Sequence, residues 1–422
     1  MVQGSDGSFY GTTIDGGAYS SGNIIKLNAD GLTTLYDFCA QTNCPDGQYP
    51  VSTLVEGRDG AFYGTTQNGG AFNPLYGTIF KITRAGTLTT LHSFNGLDGV
   101  NPYGALLLAS DGDFYGTATA GGSGGGGTIF KMTPSGTFTT LYNFCTQSGC
   151  PDGQSPDGNL MQASNGSIYG TAHQGGNYSA CVHTGCGTVF TITLGGTFTT
   201  LHVFDATDGQ QPAAELVEGL NGLLYGTTAA GGASDDGTVY TMTRGGNLAT
   251  LHSFSGADGF SPSGMIAGSD GDFYGTTLGG GANSAGTVFK ITPQGELSTV
   301  TSFKAAFYYY FGPLTQGTNG KFYGTSYFGG ADDDGTVYSV STGLNPFVQV
   351  QPSAGKEGMT VRILGGNLAR ATSVSFHGVE ANFQIHSNSL MTATVPAGAT
   401  TGEVRVRVPG GDLLSNVPFL VR

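Results

Sequence analysis

One short motif occurs seven times along the chain and restricts the folds that are open to it. The copies are centred on tyrosines 49 to 56 residues apart, namely Tyr10, Tyr63, Tyr115, Tyr169, Tyr225, Tyr274 and Tyr323. The first copy reads Asp-Gly-Ser-Phe-Tyr-Gly-Thr-Thr over residues 6–13. Self-similarity at a period of about 50 residues is typical of propellers, solenoids and repeat arrays. The repeats therefore predict one body over residues 1–348, which leaves a C-terminal tail of residues 349–422.

Each repeat contains four strand-like runs. The second run follows a turn that reads Asp-Gly or Asn-Gly in all seven copies, which is a strong sequence pattern for a β-hairpin. The runs are rich in Thr, Phe, Tyr, Ile and Val, and no helical apolar period persists. Adjacent Phe and Tyr in the second run point to opposite faces of the strand, so each sheet needs cover on both faces. Radial packing of four-stranded sheets supplies that cover, and the sequence predicts an all-β, seven-bladed β-propeller.

An Asp-Gly-x-x-Pro pattern is predicted to carry the chain from the outer strand of one blade to the inner strand of the next. Its aspartates are Asp46, Asp98, Asp152, Asp208 and Asp258. We expect them to stand near the central channel. There, either calcium binds their oxygens or each aspartate hydrogen-bonds within its own turn. The sixth crossing, residues 307–313, departs from the pattern, and residues 345–350 are expected to form the fourth strand of the last blade.

The tail differs in composition from the repeats. From about residue 349 glycine turns become sparse, and valine alternates with arginine in residues 404–408. Short alternating strands over about 70 residues are typical of an immunoglobulin-like β-sandwich. The sequence therefore predicts a second, smaller all-β domain over residues 349–422.

The six cysteines form three pairs with identical spacing, Cys39/Cys44, Cys145/Cys150 and Cys181/Cys186. Metal-binding pairs usually have two to four intervening residues and a second pair nearby, so local disulfides are the favoured interpretation. Disulfides persist in oxidising compartments, and we therefore expect an extracellular or cell-surface protein. Residues 1–3 show no features of a signal peptide, from which we expect that residues precede this chain. No apolar run reaches the length of a transmembrane span.

The charge of the chain narrows the partners and reactions open to it. Only 10% of residues are charged and the net charge is −14, which disfavours nucleic acids and anionic membranes as partners. The chain has no Trp, no phosphate loop and no Gly-x-Ser-x-Gly elbow, so sialidase-type, nucleotide-using and α/β-hydrolase chemistries are disfavoured. His92, His202 and His252 take a strand position held elsewhere by Tyr36 and Tyr142, which predicts a packing role.

The loops between the second and third runs vary in length and are predicted to share one rim with the crossings. Function usually resides on variable loops held by a rigid scaffold, and aromatic rings beside carboxylates suit glycan or protein binding. The candidate ligand-binding residues are Tyr19, Phe72, Tyr76, His173, Tyr178, His183, Asp235, Asp236, Tyr327, Phe328, Asp332 and Asp333. A metal held by the two histidines and Cys181/Cys186 is an alternative that a disulfide would remove. We expect no cofactor apart from the calcium alternative, no catalytic residue and a monomer.

The repeats resemble the GloVer tandem repeats of bacterial choice-of-anchor surface proteins, through Asp-Gly-x-Phe-Tyr-Gly-Thr-Thr, Gly-Gly and Gly-Thr-x-Phe-Lys over about residues 1–345. The tail is similar to an IPT/TIG domain through residues 358–368, 374–379, 395–399 and 404–408. The resemblance implies export and attachment outside a bacterial cell, although neither a signal peptide nor a sorting segment is seen. We therefore expect a non-enzymatic binding or adhesion module. The alternatives are a carbohydrate-active enzyme (glycosidase, lyase or oxidase) with its site on the same rim, and a structural spacer.

Overall fold

The structure, a computed structural model, describes residues 1–28, 30–212, 214–304, 314–326 and 335–422. Within these ranges the secondary structure consists of 37 β-strands and one 3-10 turn, Leu368–Arg370. The all-β expectation is therefore confirmed. No helix in the described ranges is long and apolar enough to cross a membrane.

Seven antiparallel sheets, numbered here in chain order, follow one another, each built from contiguous chain with its strands in sequence order. Sheets 1 to 3 contain β1 (Val2–Gln3), β2 (Phe9–Thr13), β3 (Asn23–Asn28), β4 (Gly31–Asp37), β5 (Val55–Glu56), β6 (Phe62–Thr66), β7 (Thr78–Ile82), β8 (Leu88–Ser93), β9 (Leu107–Leu108), β10 (Phe114–Ala118), β11 (Thr128–Met132) and β12 (Phe138–Asn143). Sheets 4 to 6 contain β13 (Met161–Gln162), β14 (Ile168–Ala172), β15 (Thr188–Ile192), β16 (Phe198–Val203), β17 (Val217–Glu218), β18 (Leu224–Thr228), β19 (Thr238–Met242), β20 (Leu248–Ser253), β21 (Phe260–Ala267), β22 (Phe273–Gly279), β23 (Thr287–Ile291) and β24 (Leu297–Ser302). Sheet 7 contains β25 (Thr315–Gln316), β26 (Phe322–Ser326) and β27 (Thr336–Val340) in the described residues.

The tyrosine of each motif packs against the first residue of the next sheet's motif strand, which is Phe except for Ile168 in sheet 4 and Leu224 in sheet 5. Tyr63 of sheet 2 stacks on Phe114 of sheet 3 with ring centroids 4.2 Å apart, and both side chains are buried. The same Tyr-to-Phe contact joins sheets 1 and 2, 5 and 6, and 6 and 7. It also joins Tyr323 of sheet 7 to Phe9 of sheet 1, at 4.3 Å. The sheets therefore form a closed ring, and each fully buried aromatic side chain stabilises it by roughly 1.5–3 kcal/mol.

A hydrogen bond between an Asp or Asn side chain and the motif tyrosine fixes the hairpin that precedes each motif strand, and in four sheets a lysine completes a triad. In sheet 1 the Tyr10 hydroxyl donates to Asp6 Oδ2 at 2.8 Å, and Lys26 Nζ lies 2.9 Å from the same oxygen. Asp6 also accepts from the Ser8 amide at 3.1 Å, which closes the turn. Gly7 in this turn has φ 83°, a conformation that glycine adopts without strain.

The charge of the hairpin residue is matched within each blade. The four sheets with Asp in the turn have Lys opposite the tyrosine on the third strand, giving the Asp–Lys pairs Asp6–Lys26, Asp59–Lys81, Asp111–Lys131 and Asp270–Lys290. In the other three sheets Asn donates to the tyrosine oxygen, and a neutral residue stands opposite: Asn165 with Thr191, Asn221 with Thr241 and Asn319 with Ser339. The matching avoids an unpaired carboxylate in a partly buried position.

A second polar contact, here termed the clasp, joins successive sheets. Ser5 of sheet 1 donates its amide and its hydroxyl to Glu56 of sheet 2, at 2.8 and 2.6 Å. Arg84 of sheet 2 pairs with the same carboxylate at 2.6 Å. Equivalent clasps join four further sheet pairs, through Ser110–Gln162, Ser164–Glu218, Ser269–Gln316 and Thr318–Gln3. The last of these lies where sheet 7 meets sheet 1 and reinforces closure of the ring.

The prediction that residues 345–350 complete the last blade is wrong. Gln349–Gln351 instead forms β28, which pairs with Thr360–Leu364 of the C-terminal domain. The physical reason is burial, because Val348 and Val350 lie in the core of that domain at 0% and 4% exposure.

The C-terminal strands form a sandwich of two four-stranded sheets and a two-stranded parallel pair. The strands are β28 (Gln349–Gln351), β29 (Ala354–Gly355), β30 (Thr360–Leu364), β31 (Ser373–Phe376), β32 (Val379–Glu380), β33 (Phe383–Ile385), β34 (Leu390–Thr394), β35 (Val404–Val408), β36 (Gly411–Leu414) and β37 (Leu420–Val421). This domain contacts the ring through Arg362, which lies 3.2 Å from Glu56 Oε1 and extends that clasp. Ser389 donates to the Ser5 carbonyl at 3.4 Å, so the contact covers the seam between sheets 1 and 2.

Candidate functional site

The ring has two rims of different construction. The loop rim consists of the loops between second and third strands, with the crossings between sheets. The hairpin rim consists of the turns between first and second strands and between third and fourth strands. Four crossings are held to a loop of the same rim by a β-bridge, namely Gln48–Asn68, Val100–Ala120, Gln154–Gln174 and Gln210–Ala230.

The crossing aspartates do not line the channel, which corrects the expectation of a ring of carboxylates there. Asp46 accepts from the Tyr36 hydroxyl at 2.9 Å, and Asp98 lies 3.0 Å from His92 Nε2. Both partners lie at the ends of fourth strands, which are the outer strands of their sheets. Asp152, Asp208 and Asp258 make the same contacts with Tyr142, His202 and His252. Each aspartate also accepts a nearby backbone amide, so it fastens the outer strand to the crossing.

All three predicted disulfides, Cys39–Cys44, Cys145–Cys150 and Cys181–Cys186, are present. Two lie in crossings and the third in the loop between β14 and β15, so all belong to the loop rim. The Cys181–Cys186 bond removes the thiolates from the metal alternative. No group of three or more His, Cys, Asp or Glu that could hold a metal ion occurs in the described ranges.

The predicted rim residues that the structure describes differ in exposure and contacts. Tyr19 and Phe72 are 51% and 68% exposed, and His183 is exposed with φ 93°. Tyr76 and Tyr178 are half-buried, and Tyr76 packs within the cluster between sheets 2 and 3. Asp235 is exposed and accepts from the Gly231 amide at 2.9 Å, whereas Asp236 is half-buried. Tyr327, Phe328, Asp332 and Asp333 lie outside the described residues, as does the sixth crossing at 307–313.

Exposed large apolar side chains are concentrated on the loop rim. Of ten such residues in the described chain, six lie there: Tyr19, Phe72, Leu75, Leu97, Tyr103 and Val182. Phe72, Leu75 and Leu97 are 60% to 81% exposed and lie in the loop of sheet 2 and the crossing that follows it. These three residues are here termed the apolar patch.

The two rims also differ in charge. Among the described residues the loop rim carries twelve carboxylates, namely Asp15, Asp37, Asp46, Asp98, Asp152, Asp157, Asp205, Asp208, Glu215, Asp235, Asp236 and Asp258. Lys304 is the one Lys or Arg among the described residues of the loop rim. The remaining described basic residues of the ring belong to the hairpin rim: Lys26, Arg58, Lys81, Arg84, Lys131, Arg244, Lys290 and Lys321. All of them except Arg58 and Lys321 pair with its carboxylates in the triads and clasps. The negative charge of the ring therefore resides mainly on the loop rim.

Four polar residues cluster where the loop rim meets the inner edge of sheets 4 and 5, and they are here termed the mouth cluster. Asp157, Asn159 and Glu215 lie on the segments that lead into the inner strands β13 and β17, and His173 follows β14. His173 Nδ1 lies 3.5 Å from Asp157 Oδ2, without a hydrogen bond. Asn159 accepts from the Ala105 amide at 2.7 Å and donates to Glu215 Oε2 at 3.3 Å. The cluster thus belongs to sheets 4 and 5 and contacts the segment that leads into the inner strand of sheet 3.

The mouth cluster contains titratable groups with shifted pKa values and a buried oxygen atom without a hydrogen-bond partner. Burial raises the pKa of Asp157 to about 7, an effect that the amides of Asp157 and Gly158 offset only in part. Asp157 Oδ1 has no hydrogen-bond partner among the described residues. Burial also raises the pKa of Glu215 to about 7 against the lowering effect of the Asn159 amide, although the side chain is open to solvent within the ring. Burial lowers the pKa of His173, so the imidazole is largely neutral at pH 7.

Sequence reasoning included His173 but missed Asp157, Asn159 and Glu215. The three lie just after the prolines of two crossings, at positions where other repeats have uncharged residues such as Thr53 and Ala105. Aligning the seven repeats and searching for the positions at which they differ would have revealed these three residues.

Two cavities lie away from this rim. One, of about 310 Å³, is on the sandwich face around Arg405, and the other, of about 290 Å³, is beside Asp270 on the hairpin rim. Both charged side chains are paired, with Asp412 and Lys290 respectively, so neither cavity presents the unpartnered groups found in the mouth cluster.

Two solved structures with TM-scores of 0.51 agree with the ring architecture. A fungal alcohol oxidase of the AA5 family, solved in complex with copper, is 14% identical over 98% of this chain and 95% of its own, with a TM-score of 0.51. A puromycin-hydrolysing peptidase of Mycobacterium tuberculosis is 12% identical over 85% of this chain and 57% of its own, also at 0.51. A streptogramin B lyase is 16% identical over 73% and 86% of the two chains, with a TM-score of 0.46. Identities this low concern the fold alone. Comparison with curated proteins found no match.

Family models account for nearly the whole chain. The Gloeobacter/Verrucomicrobia repeat matches residues 1–183 and 179–362, and the IPT/TIG domain matches residues 347–420. These matches confirm both resemblances drawn from the motifs. The protein therefore belongs to the Gloeobacter/Verrucomicrobia repeat family and carries an IPT/TIG domain in its C-terminal part.

Proposed function

We propose that this protein is an exported bacterial binding module that captures a ligand outside the cell on its loop rim, without catalysing a reaction. The observation that carries the proposal is the concentration of exposed apolar side chains on that rim, led by Phe72, Leu75 and Leu97. Exposed apolar surface tends to mark interaction sites. The repeats and the IPT/TIG domain agree with a binding role.

The disulfides support both the location and the role. All three constrain the loop rim, and such bonds persist in oxidising compartments. Ordering loops before binding reduces the entropy that association costs. A rim with covalently tied loops and exposed apolar side chains is therefore suited to capture of a partner.

The test is a binding screen of the purified protein against immobilised glycans, peptides and extracellular proteins. We expect at least one ligand whose affinity falls more than tenfold in the double variant Phe72→Ser/Leu97→Ser. The matched control is Leu220→Ser, because Leu220 is 71% exposed but lies on the hairpin rim. Equal loss in the control, or no ligand in any class, would refute the proposal. Turnover of a bound glycan would instead assign enzymatic function, with Asp157 and Glu215 as acid–base candidates because their pKa values are near 7.

A further inference from the structure

We propose that the ligand of the loop rim is a basic peptide segment of another extracellular protein, with one lysine or arginine side chain entering the mouth cluster beside Asp157 and Glu215. The inference rests on the proposed function and specifies its partner. Three features of the described residues support it: the charge of the rim, the buried Asp157 Oδ1 of the mouth cluster, which lacks a hydrogen-bond partner, and the apolar patch on the same rim.

The charge of the loop rim selects a cationic partner. Twelve described carboxylates share that rim with Lys304 as the one described Lys or Arg. A surface of one sign attracts ligands of the opposite sign and raises their association rate. The hairpin rim has no comparable excess, because its aspartates are matched by lysines in the triads.

The mouth cluster offers a specific position for one cationic group. Asp157 Oδ1 is buried without a hydrogen-bond partner, and the Glu215 carboxylate accepts one long hydrogen bond among the described residues, from Asn159 at 3.3 Å. The neighbouring His173 is largely neutral at pH 7 and lies too far from Asp157 for a hydrogen bond. An ammonium or guanidinium group would supply the missing donors and the compensating charge. Both carboxyl groups would then be held in their ionised forms.

The arrangement suits a peptide better than a metal ion. A calcium ion requires six to eight oxygen ligands around one point, whereas no group of three metal-binding side chains occurs in the described ranges. The carboxylates are spread over loops and crossings of successive sheets. The crossing that carries Leu97 of the apolar patch also carries Tyr103 and Ala105, and the Ala105 amide binds Asn159 of the mouth cluster. A segment with both basic and apolar side chains can therefore contact both features.

The experiment measures binding of fluorescein-labelled peptides to the full chain by anisotropy, with a Lys-Leu-rich peptide, a Glu-Leu-rich peptide of the same length and a Lys-Ser-rich peptide. We expect the Lys-Leu-rich peptide to bind most tightly, with an affinity that falls at least tenfold between low and high salt. Asp157→Asn/Glu215→Gln should weaken this binding about tenfold or more. The matched control is Asp270→Asn/Asp272→Asn, which removes two carboxylates from the hairpin rim and should change the affinity less than twofold. Thermal unfolding of each variant establishes that it is folded.

Four outcomes would overturn the inference. Binding of glycans or of the Glu-Leu-rich peptide, with none of the basic peptides, would leave the binding module intact and refute the basic ligand. Equal losses in the two double variants would show that net charge alone is sensed and refute the role of the mouth cluster. Calcium that binds with micromolar affinity and displaces the Lys-Leu-rich peptide would assign the carboxylates to a metal. Failure of every ligand class would refute the proposed function as well.

Discussion

The carboxylates of the two rims differ in their partners and in the direction of their pKa shifts. On the hairpin rim Asp6 is held by a lysine, a tyrosine hydroxyl and a backbone amide. Burial there opposes ionisation, but these partners outweigh it and hold the pKa of Asp6 below its ordinary value. In the mouth cluster burial acts on Asp157 without a cationic partner, and its pKa rises to about 7. Satisfied carboxylates stabilise the fold, whereas unsatisfied ones are typical of sites that receive a ligand.

The largest effect is expected where the hairpin rim buries a carboxylate most deeply. Glu56→Ala should lower the free energy of unfolding by about 3 kcal/mol, because it leaves the charges of Arg84 and Arg362 and the amide of Ser5 without their partner. Chemical denaturation measures the loss. Glu56→Gln is the control and should lower the free energy of unfolding by less, since Gln162 accepts the equivalent backbone amide in another clasp. Equal losses in the two variants would contradict a role for the charge.

Substitution in the mouth cluster should raise the stability of the protein and not lower it. Asp157 has a raised pKa, so its stabilising contribution is complete below the ordinary carboxyl pKa and is lost as the pH rises to about 7. Asp157→Asn should therefore stabilise the protein near pH 8 by about 2 kcal/mol, the scale of an unsatisfied buried polar group, and change little near pH 4. Unfolding curves at both pH values measure this difference. A destabilising effect at pH 8 would show that the carboxylate has a partner in the fold.

The smallest effect concerns a single triad. Asp6→Asn should cost about 1 kcal/mol near pH 7, because Lys26 loses its partner in a partly exposed position. Adding Lys26→Thr should recover most of the loss, since sheets 4 and 5 combine Asn with Thr. The lowered pKa of Asp6 means that the cost disappears as the pH falls through that pKa. A double-mutant cycle by thermal unfolding measures the recovery, and additive losses would mean that the two residues act independently.

Much of the architecture could be predicted because the residues that determine it recur in every repeat. The Asp-Gly and Asn-Gly turns located the hairpins, and the adjacent Phe and Tyr indicated sheets covered on both faces. The equal cysteine spacing predicted the disulfides. The fate of residues 345–350 was not predictable from their apolar pattern, since Val348 and Val350 suit a strand of either domain. Packing with Ile363 and its neighbours decides the outcome.

The candidate site was harder to predict because it depends on departures from the repeat. His173 was visible as a loop histidine, but Asp157 becomes its neighbour only through the bridge that joins Gln154 to Gln174. The rise in the pKa of Asp157 and Glu215 comes from surrounding protein and has no local sequence pattern. The charge difference between the rims was present in the sequence and required only the assignment of each turn to its rim.

Triads lie within single blades whereas clasps join two blades, and this difference affects how such a ring can evolve. Every triad is complete within one blade, so duplication or exchange of a whole blade carries both halves of the Asp–Lys or Asn–Thr match with it. A clasp is shared between blades, but Gln and Glu accept the same amide at its centre, and the arginine that accompanies Glu56 or Glu218 belongs to the same blade as the glutamate. A transplanted blade would therefore form an acceptable seam with most new neighbours. The loops and crossings, which carry no such matched set, can diverge as each recognition surface requires.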